Sequence, residues 1–320
     1  MEEKKIAEFT VGEEIQGFYI IKALNVKTSS NNKKYLDFTL ADKTGEVNSK
    51  LWDVKDDYED LYQTGVLVKV RGNVTSWQNA TQLKVTRIRL VNEEDQVDIT
   101  EYVPSAPHKP EDMYDELEET INAFTNEDLK KLLLAIVREY KPRLLTAPAA
   151  KSNHHAIRSG LLYHLKRMIQ TGKALCTVYT HIDQDLLISG IILHDMEKIN
   201  EMVSDDLGIV SEYSREGQLL GHIIMGVKRI DEMCKKLGID EELSLVLQHL
   251  VLSHHYEPEF GSPKKPMLPE GELLHYIDMI DARMYDMELA YRDTNPGEFT
   301  QPIWVLDKRR LYNFKKDSEV

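Results

Sequence analysis

Apolar and polar residues alternate along five short runs near the start of the chain: Phe18 to Val26, Tyr35 to Leu40, Val47 to Trp52, Val66 to Val74 and Gln82 to Leu90. A period of two predicts strands with one buried face each. Ala41 to Glu46, with Gly45, is a turn signal between the second and third runs, and Trp77 to Ala80 separates the last two. The acidic stretch Asp53 to Tyr62 reads as a short helix between the third and fourth. In this reading Trp52, ending an apolar strand, belongs to the core, and Trp77, between Ser76 and Gln78, to the surface. The period then changes. Asn92 to Lys109 is an acidic, then Pro-rich connection, and Glu111 to Leu145 reads as helix around the apolar run Leu132 to Val137. Residues 151–290 read as almost wholly helical, interrupted by the Pro-rich loop Glu257 to Gly271. Within them, Ser189 to Asn200 reads as one buried helix.

Five short strands with a helix between the third and fourth fit an OB-fold barrel. The predicted class is therefore multi-domain α+β: an N-terminal all-β OB-fold barrel followed by an all-α domain. The expected boundaries are 1–95 for the barrel, 96–110 for a linker, 111–294 for the helical domain and 295–320 for a C-terminal extension. In that extension Trp304, Tyr312 and Phe314 mix with Lys308, Arg309, Arg310, Lys315 and Lys316. This pattern serves a packing arm or a nucleic-acid contact equally well.

Hydrophobic residues make up 42% and charged residues 29% of the 320, which excludes a disordered chain. No apolar run approaches the ~20 residues needed to span a bilayer. The charged start lacks the apolar stretch of a signal peptide. The two cysteines, Cys176 and Cys234, form no framework, so a cytoplasmic protein without a membrane partner is expected. Net charge is −14, yet Ile15 to Leu90 holds 12 basic and 8 acidic residues, a local +4 on a remainder of −18. A locally basic barrel can bind phosphates on an acidic protein, because salt confines surface fields to about 8 Å. OB-folds hold single strands by basic grooves and aromatic stacking. The candidates are Lys33, Lys34, Tyr35, Lys69, Arg71, Trp77 and Lys84, with Phe38 and Trp52 as further aromatics.

The helical domain carries the chemistry. His164, the adjacent His194 and Asp195, His222, the pair His254 and His255, and Asp278 each stand among apolar neighbours. One such histidine is usually a satisfied core residue. A series of sites on successive helices is better explained by a divalent transition metal, for which imidazole and carboxylate are both ligands. Lys198, four residues after His194, is expected about one turn along the same face, where a cation can sit beside a metal-bound phosphate.

The order His, His-Asp, His, His-His, Asp resembles the HD-domain metal-dependent phosphohydrolases over residues 150–290. The resemblance implies that His164, His194, Asp195 and Asp278 hold one metal, and that Asp195 bridges to a second held by His222, His254 and His255. Lys50 to Asp53, Gly65 to Gly72 and Gln82 to Val85 resemble OB-folds of the tRNA-anticodon-binding type. The two together resemble the YhaM-type 3′→5′ exoribonucleases, through Ala147 to Ala150, His154 to Ala156, Gly160 to Leu162, Ile192 to Asp195, Gly221 to Ile223, Ser253 to His255 and Gly261 to Pro263. Ser159 and Tyr163 depart from that pattern without replacing a ligand.

The resemblance implies hydrolysis of single-stranded RNA, with DNA as an alternative, from the 3′ end to nucleoside 5′-monophosphates. Nitrogen-rich ligation favours Mn, Fe, Co or Ni over Mg; the resemblance, with its additional histidines, implies two ions, and Mn is the expected metal. Asp195 and Lys198 are the expected catalytic residues. His155 and Arg158 are candidates either for substrate-phosphate contact or for helix capping. A phosphohydrolase of dNTPs or cyclic nucleotides and a non-catalytic single-strand-binding protein are the rival readings, and the sequence leaves a homo-oligomer open.

Overall fold

In a computed structural model, the structure describes residues 3–29, 31–52, 54, 58–77, 80–97, 101–151, 155–292 and 294–314. His154, Asp53, Lys315 and Lys316 lie outside them. The chain divides into two compact units, residues 1–105 and 106–320.

In the first unit, β1 (Glu14–Thr28), β2 (Lys34–Asp42), β3 (Gly45–Leu51), β4 (Leu67–Trp77) and β5 (Ala80–Leu90) close into a barrel of order β1-β2-β3-β5-β4. The short α1 (Tyr58–Leu61) separates β3 from β4. All neighbours are antiparallel except β3 and β5. The alternating pattern sends Leu36, Phe38 and Leu40 of β2, Val47 and Leu51 of β3, and Leu83 and Val85 of β5 inward as one core. β1 pairs with β2 along one half and β4 along the other. A bulge between Ile21 and Ala23 bends it around the closure. Gly72 is required where β4 meets β5, because a Cβ there would stand 2.6 Å from the Lys84 carbonyl oxygen.

The second unit packs α2 (Pro110–Asn122), α3 (Glu127–Leu144), α4 (Gly160–Cys176), α5 (Gln184–Leu193), α6 (Lys198–Glu201), α7 (Arg215–Leu237), α8 (Glu241–Ser253) and α9 (Pro269–Arg292). Every residue of α5 from Leu187 to Leu193 is buried, as befits a helix apolar on all sides. Asp183 caps α5 by accepting from Leu186 N, and Asn126 and Asp240 cap α3 and α8 in the same way.

Three helical expectations are corrected. Glu111 to Leu145 is two helices, broken where the Asn126 side chain captures the first free amides of α3. Residues 151–290 contain a hairpin, β6 (Met202–Ser204) with β7 (Val210–Tyr213). Ser189 to Asn200 is not one helix: α5 ends at Leu193, and single turns of the i→i+3 kind, such as Lys198 N to Asp195 O at 3.0 Å, lead into α6. The break falls where buried polar side chains, His194 and Asp195, enter an otherwise apolar helix.

Candidate metal centre and strand-binding surface

The last carbonyls of a helix lack intrahelical donors. Two histidines use that fact in the same way. His194 follows α5 and its Nδ1 lies 2.7 Å from Ile191 O, and His254 follows α8 with Nδ1 2.7 Å from Val251 O. A carbonyl only accepts, so each Nδ1 carries the proton and each Nε2 keeps its lone pair. His255, next to His254, gives Nδ1 to Phe260 O at 2.6 Å, and its backbone N–H donates to the buried Ser262 Oγ.

The other two imidazoles are held by carboxylates. His164, inside α4, donates from Nδ1 to Asp281 Oδ2 of α9 at 2.7 Å. His222 stands just after a kink in α7, where Gly221 takes φ 71°, a conformation that suits glycine. The kink frees the His222 amide, and Glu201 accepts from it at 3.0 Å and faces Nδ1 at 3.1 Å. All five imidazoles are thus anchored through Nδ1, which leaves Nε2 as the nitrogen turned away from these anchors.

These nitrogens converge with two carboxylates. Asp195 Oδ2 lies 3.3 Å from His194 Nε2 and 3.9 Å from His164 Nε2, while its Oδ1 lies 3.4 Å from His222 Nε2. Asp278 Oδ1 is 3.3 Å from His164 Nε2. His164, His194 and Asp195 form one trio with ligand atoms mutually within 4.8 Å; His222, His254 and His255 form another; His194, His254 and Asp278 join them. The Nε2 atoms of His194, His222 and His254 and Oδ1 of Asp195 are buried without a hydrogen-bond partner. Leaving four such atoms unmatched is costly, and cations held by these trios would engage them. The donor set fits divalent transition metals.

The electrostatics agree. Burial, reinforced by His255 and His194, pushes the His254 pKa well down, keeping the neutral form that can ligate. Burial works against protonation of His164 too, but its bonds to Asp278 and Asp281 outweigh it and lift the pKa to about 9. The lone pair that holds that proton is the one a cation would take. Burial opposes ionisation of Asp195, yet His194 and Lys198 hold its carboxyl well below the usual range.

Lys198 reaches Asp195, not by continuing a helix from His194 but across the tight turn, with Nζ 2.7 Å from Asp195 Oδ2. His155 does not fit a substrate contact in this structure. It is fully buried, donates from Nε2 to Asp281 Oδ2 at 2.7 Å, and packs on the Tyr285 ring. Burial drives its pKa down to about 4, so it is neutral. Arg158 is half-buried, with Nε 3.1 Å from the Asp206 carbonyl.

Asp281, Arg167 and Glu201 are further residues of the site, outside the candidates drawn from the sequence. Arg167 Nε is 2.5 Å from Asp281 Oδ1. A signal was present for two of them: His164 and Arg167 on α4, and Asp278 and Asp281 on α9, are both three-residue spacings, which put each pair on one helix face. Glu201 has none, because it reaches His222 across the β6–β7 hairpin, which the sequence pattern does not reveal.

On the barrel, Trp52 is 43% exposed rather than core. It stacks on Tyr35, with ring centroids 4.5 Å apart and planes at 23°. The alternation explains it: Leu51 points inward, so the next side chain points out. Lys50 Nζ lies 5.9 Å from the Tyr35 ring centroid. Phe38 is core, and Trp77, at 63%, is exposed. Lys33 and Lys84 are exposed and make no ion pair among the described residues, and Lys34 is exposed at the start of β2. Lys69 and Arg71, two of the candidates for strand contact, are ion-paired in this structure. Lys69 pairs with Asp95 at 3.2 Å, and Arg71 is forked onto Glu14 at 2.8 and 3.1 Å.

Residues 161–283 match the HD domain family, and residues 21–91 match the family of the OB-fold nucleic acid binding domain. The HD match implies a metal-dependent phosphohydrolase, and the OB-fold match implies nucleic-acid binding. Among solved structures, the chain is similar to the second OB-fold domain of replication protein A from Methanococcus maripaludis, at 20% identity over 28% of this chain and 96% of that one, with a TM-score of 0.24. It is similar to a replication protein A heterotrimer bound to ssDNA, at 18% identity over 29% and 69%, TM-score 0.22. It is also similar to the mitochondrial single-stranded DNA binding protein Rim1 of S. cerevisiae, at 17% identity over 26% and 97%, TM-score 0.23. No helix among the described residues is long and apolar enough to cross a membrane.

Proposed function

We propose that this chain is a YhaM-type 3′→5′ exonuclease that shortens single-stranded RNA, and DNA in second place, to nucleoside 5′-monophosphates in the cytoplasm. The observation that carries the hydrolytic part is the set of five imidazoles anchored through Nδ1, gathered with Asp195 and Asp278 into overlapping trios of ligand atoms. The direction of attack rests on the sequence resemblance, which runs through both units. Residues 1–95 serve as the strand platform, 96–110 as the linker, 111–294 as the phosphohydrolase and 295–320 as an extension.

His164, His194, Asp195 and Asp278 would hold one divalent transition metal and His222, His254 and His255 a second, with Asp195 between them. Such ions, Mn before Fe, Co or Ni, supply a water of lowered pKa and a clamp on both sides of the scissile phosphate. The protein does the rest. Lys198 is kept charged, because Asp195 outweighs the effect of its burial, and its ammonium offsets charge that grows on the phosphoryl oxygens. Asp281 and Glu201 fix the rings of His164 and His222. Tyr35 and Trp52 offer stacking faces to bases, with Lys50, Lys33 and Lys84 near the phosphates.

The test is a 5′-labelled single strand incubated with purified protein and Mn²⁺. A ladder shortening from the 3′ end supports the reading. Turnover of free nucleotides with an intact strand would transfer the site to a small-nucleotide phosphohydrolase. An intact strand without any turnover would leave a binding protein.

A further inference from the structure

Beyond α9 the chain folds back on itself. Gly297 N donates to Asn313 O at 2.7 Å, Asn313 N to Glu298 O at 2.9 Å and Thr300 N to Leu311 O at 2.8 Å. Ile303 and Arg309 form an antiparallel bridge. Asp307 and Lys308 both take left-handed backbone, φ 57° and 58°, to close the loop between those two residues. Thr300, Leu306 and Asn313 are buried beneath this frame. The arm is therefore a built element rather than a loose end.

Its outer side is aromatic. Trp304 and Phe314 are 75% and 78% exposed, and Phe299 and Tyr312 about half. Phe299, Tyr312 and Phe314 are neighbours, and a group of exposed rings marks an interaction surface. The charges beside them say which kind. Lys308 Nζ lies 4.3 Å over the Trp304 ring and the Arg310 guanidinium 5.6 Å over the Phe299 ring. Arg309 and Arg310 each spend one N–H on a backbone carbonyl, Leu306 O and Thr300 O, which leaves their remaining donors outward and fixes their direction. None of the three cations pairs with a carboxylate among the described residues. They stand on a unit that is otherwise acidic, with 26 basic and 36 acidic residues from 106 to 320. Cations free of carboxylate partners beside exposed rings suit a polyanion whose bases can stack.

We propose that residues 295–314 form a second binding surface for single-stranded nucleic acid. It rests on the reading of that strand as substrate. Asp278, at the metal centre, and Arg292, at the end of α9, are 14 residues apart on one helix, about 21 Å at 1.5 Å per residue. A strand whose 3′ end sits at the metal centre can therefore reach the arm, which would favour long strands over short ones.

The test uses the full chain in three forms: unaltered, Trp304→Ala with Phe314→Ala, and Lys308→Glu with Arg309→Glu and Arg310→Glu. Fluorescence anisotropy in chelator reads binding of 5′-labelled oligouridylates of about 30 nucleotides, longer than the ~4–16 that one OB-fold covers, and of about 6. Hydrolysis of a small chromogenic diester in Mn²⁺ is read in parallel. The expected result is about a tenfold loss of long-strand affinity in both variants, with short-strand affinity and diester hydrolysis unchanged. In the charge variant the salt slope should also fall by at least about 2, at ~0.7 per phosphate contact. Unchanged long-strand affinity and slope would overturn the proposal. So would a drop in mass of the variants by sedimentation with binding intact, which would make the arm a contact with a second copy. If the unaltered protein leaves strands uncut while the arm variants still lose affinity, the nuclease reading fails and the binding surface stands.

Discussion

Asp281 Oδ2 stands 2.7 Å from His164 Nδ1, and the same oxygen is 2.7 Å from His155 Nε2. One buried carboxylate oxygen thus sets the ring plane of a proposed ligand and of the residue packed behind it, while Arg167 holds the other oxygen. Burial opposes a charge on Asp281, but the bonds from His155 and His164 keep its carboxyl well below the usual range. The group is an anion at neutral pH and strengthens His164 as a donor to a cation. Asp281→Asn keeps the volume and removes the charge. The expected outcome is about a 10- to 100-fold loss of metal affinity, read by metal titration, with activity recovered in excess Mn²⁺. Metal affinity equal to that of the unaltered protein would reduce Asp281 to a packing residue.

Lys198 has a separate part. Its Nζ touches Asp195 Oδ2, and an ammonium is no metal ligand. Lys198→Ala should keep bound metal, as measured by elemental analysis, and slow the single-turnover rate by about 10²- to 10³-fold. Loss of metal together with rate would mean that the ammonium mainly holds the Asp195 carboxylate in place.

Asp286, on the outer half of α9, is raised by burial to about 6 from an ordinary 3.8. A carboxyl raised in the folded state binds its proton there more tightly than in the unfolded chain. Its cost is absent below pH ~4, grows between pH 4 and 6, and is complete above. Asp286→Asn should therefore stabilise the protein by about 1 kcal/mol at pH 7.5, a figure reduced for the group's partial exposure, and leave it unchanged at pH 4. Denaturant titrations at the two pH values decide it, and an equal shift at both would trace the effect to something other than ionisation.

Much of the barrel could be read from its alternation, because Leu36, Phe38 and Leu40 point inward at every second position and closure demands it. Trp52 went astray because an apolar residue at a strand end was given the strand's burial, although parity places it opposite Leu51. The candidate metal centre could be read as a set of residue types, since burying so many imidazoles needs a reason. Its geometry could not. That His194 and His254 end helices rather than sit inside them depends on where those helices stop, and an apolar run such as Ile191 to Leu193 does not announce its own end. The carboxylate partners, Glu201 and Asp281, are fixed by tertiary packing over 21 and 117 residues of separation. Ion pairing hid the state of Lys69 and Arg71 in the same way, because Glu14 is 57 residues from Arg71.

That difference between paired and open groups gives the last prediction. Trp52 is exposed and stacked on Tyr35, so Trp52→Ala removes a stacking face without opening the barrel core. If bases lie on this face, single-strand affinity should fall at least about fivefold, the low end of the ~1–3 kcal/mol that one stacked base contributes. Lys84→Ala should lower affinity and reduce the salt slope by about 0.7, one phosphate contact on a single strand. Arg71→Ala should do neither, because its guanidinium already serves Glu14 in an exposed pair of the kind worth ~0–1 kcal/mol. Anisotropy in chelator at two salt concentrations, with melting curves to confirm the fold of each variant, separates the three. An Arg71 effect equal to that of Lys84 would place the strand on the β1 and β4 side of the barrel instead.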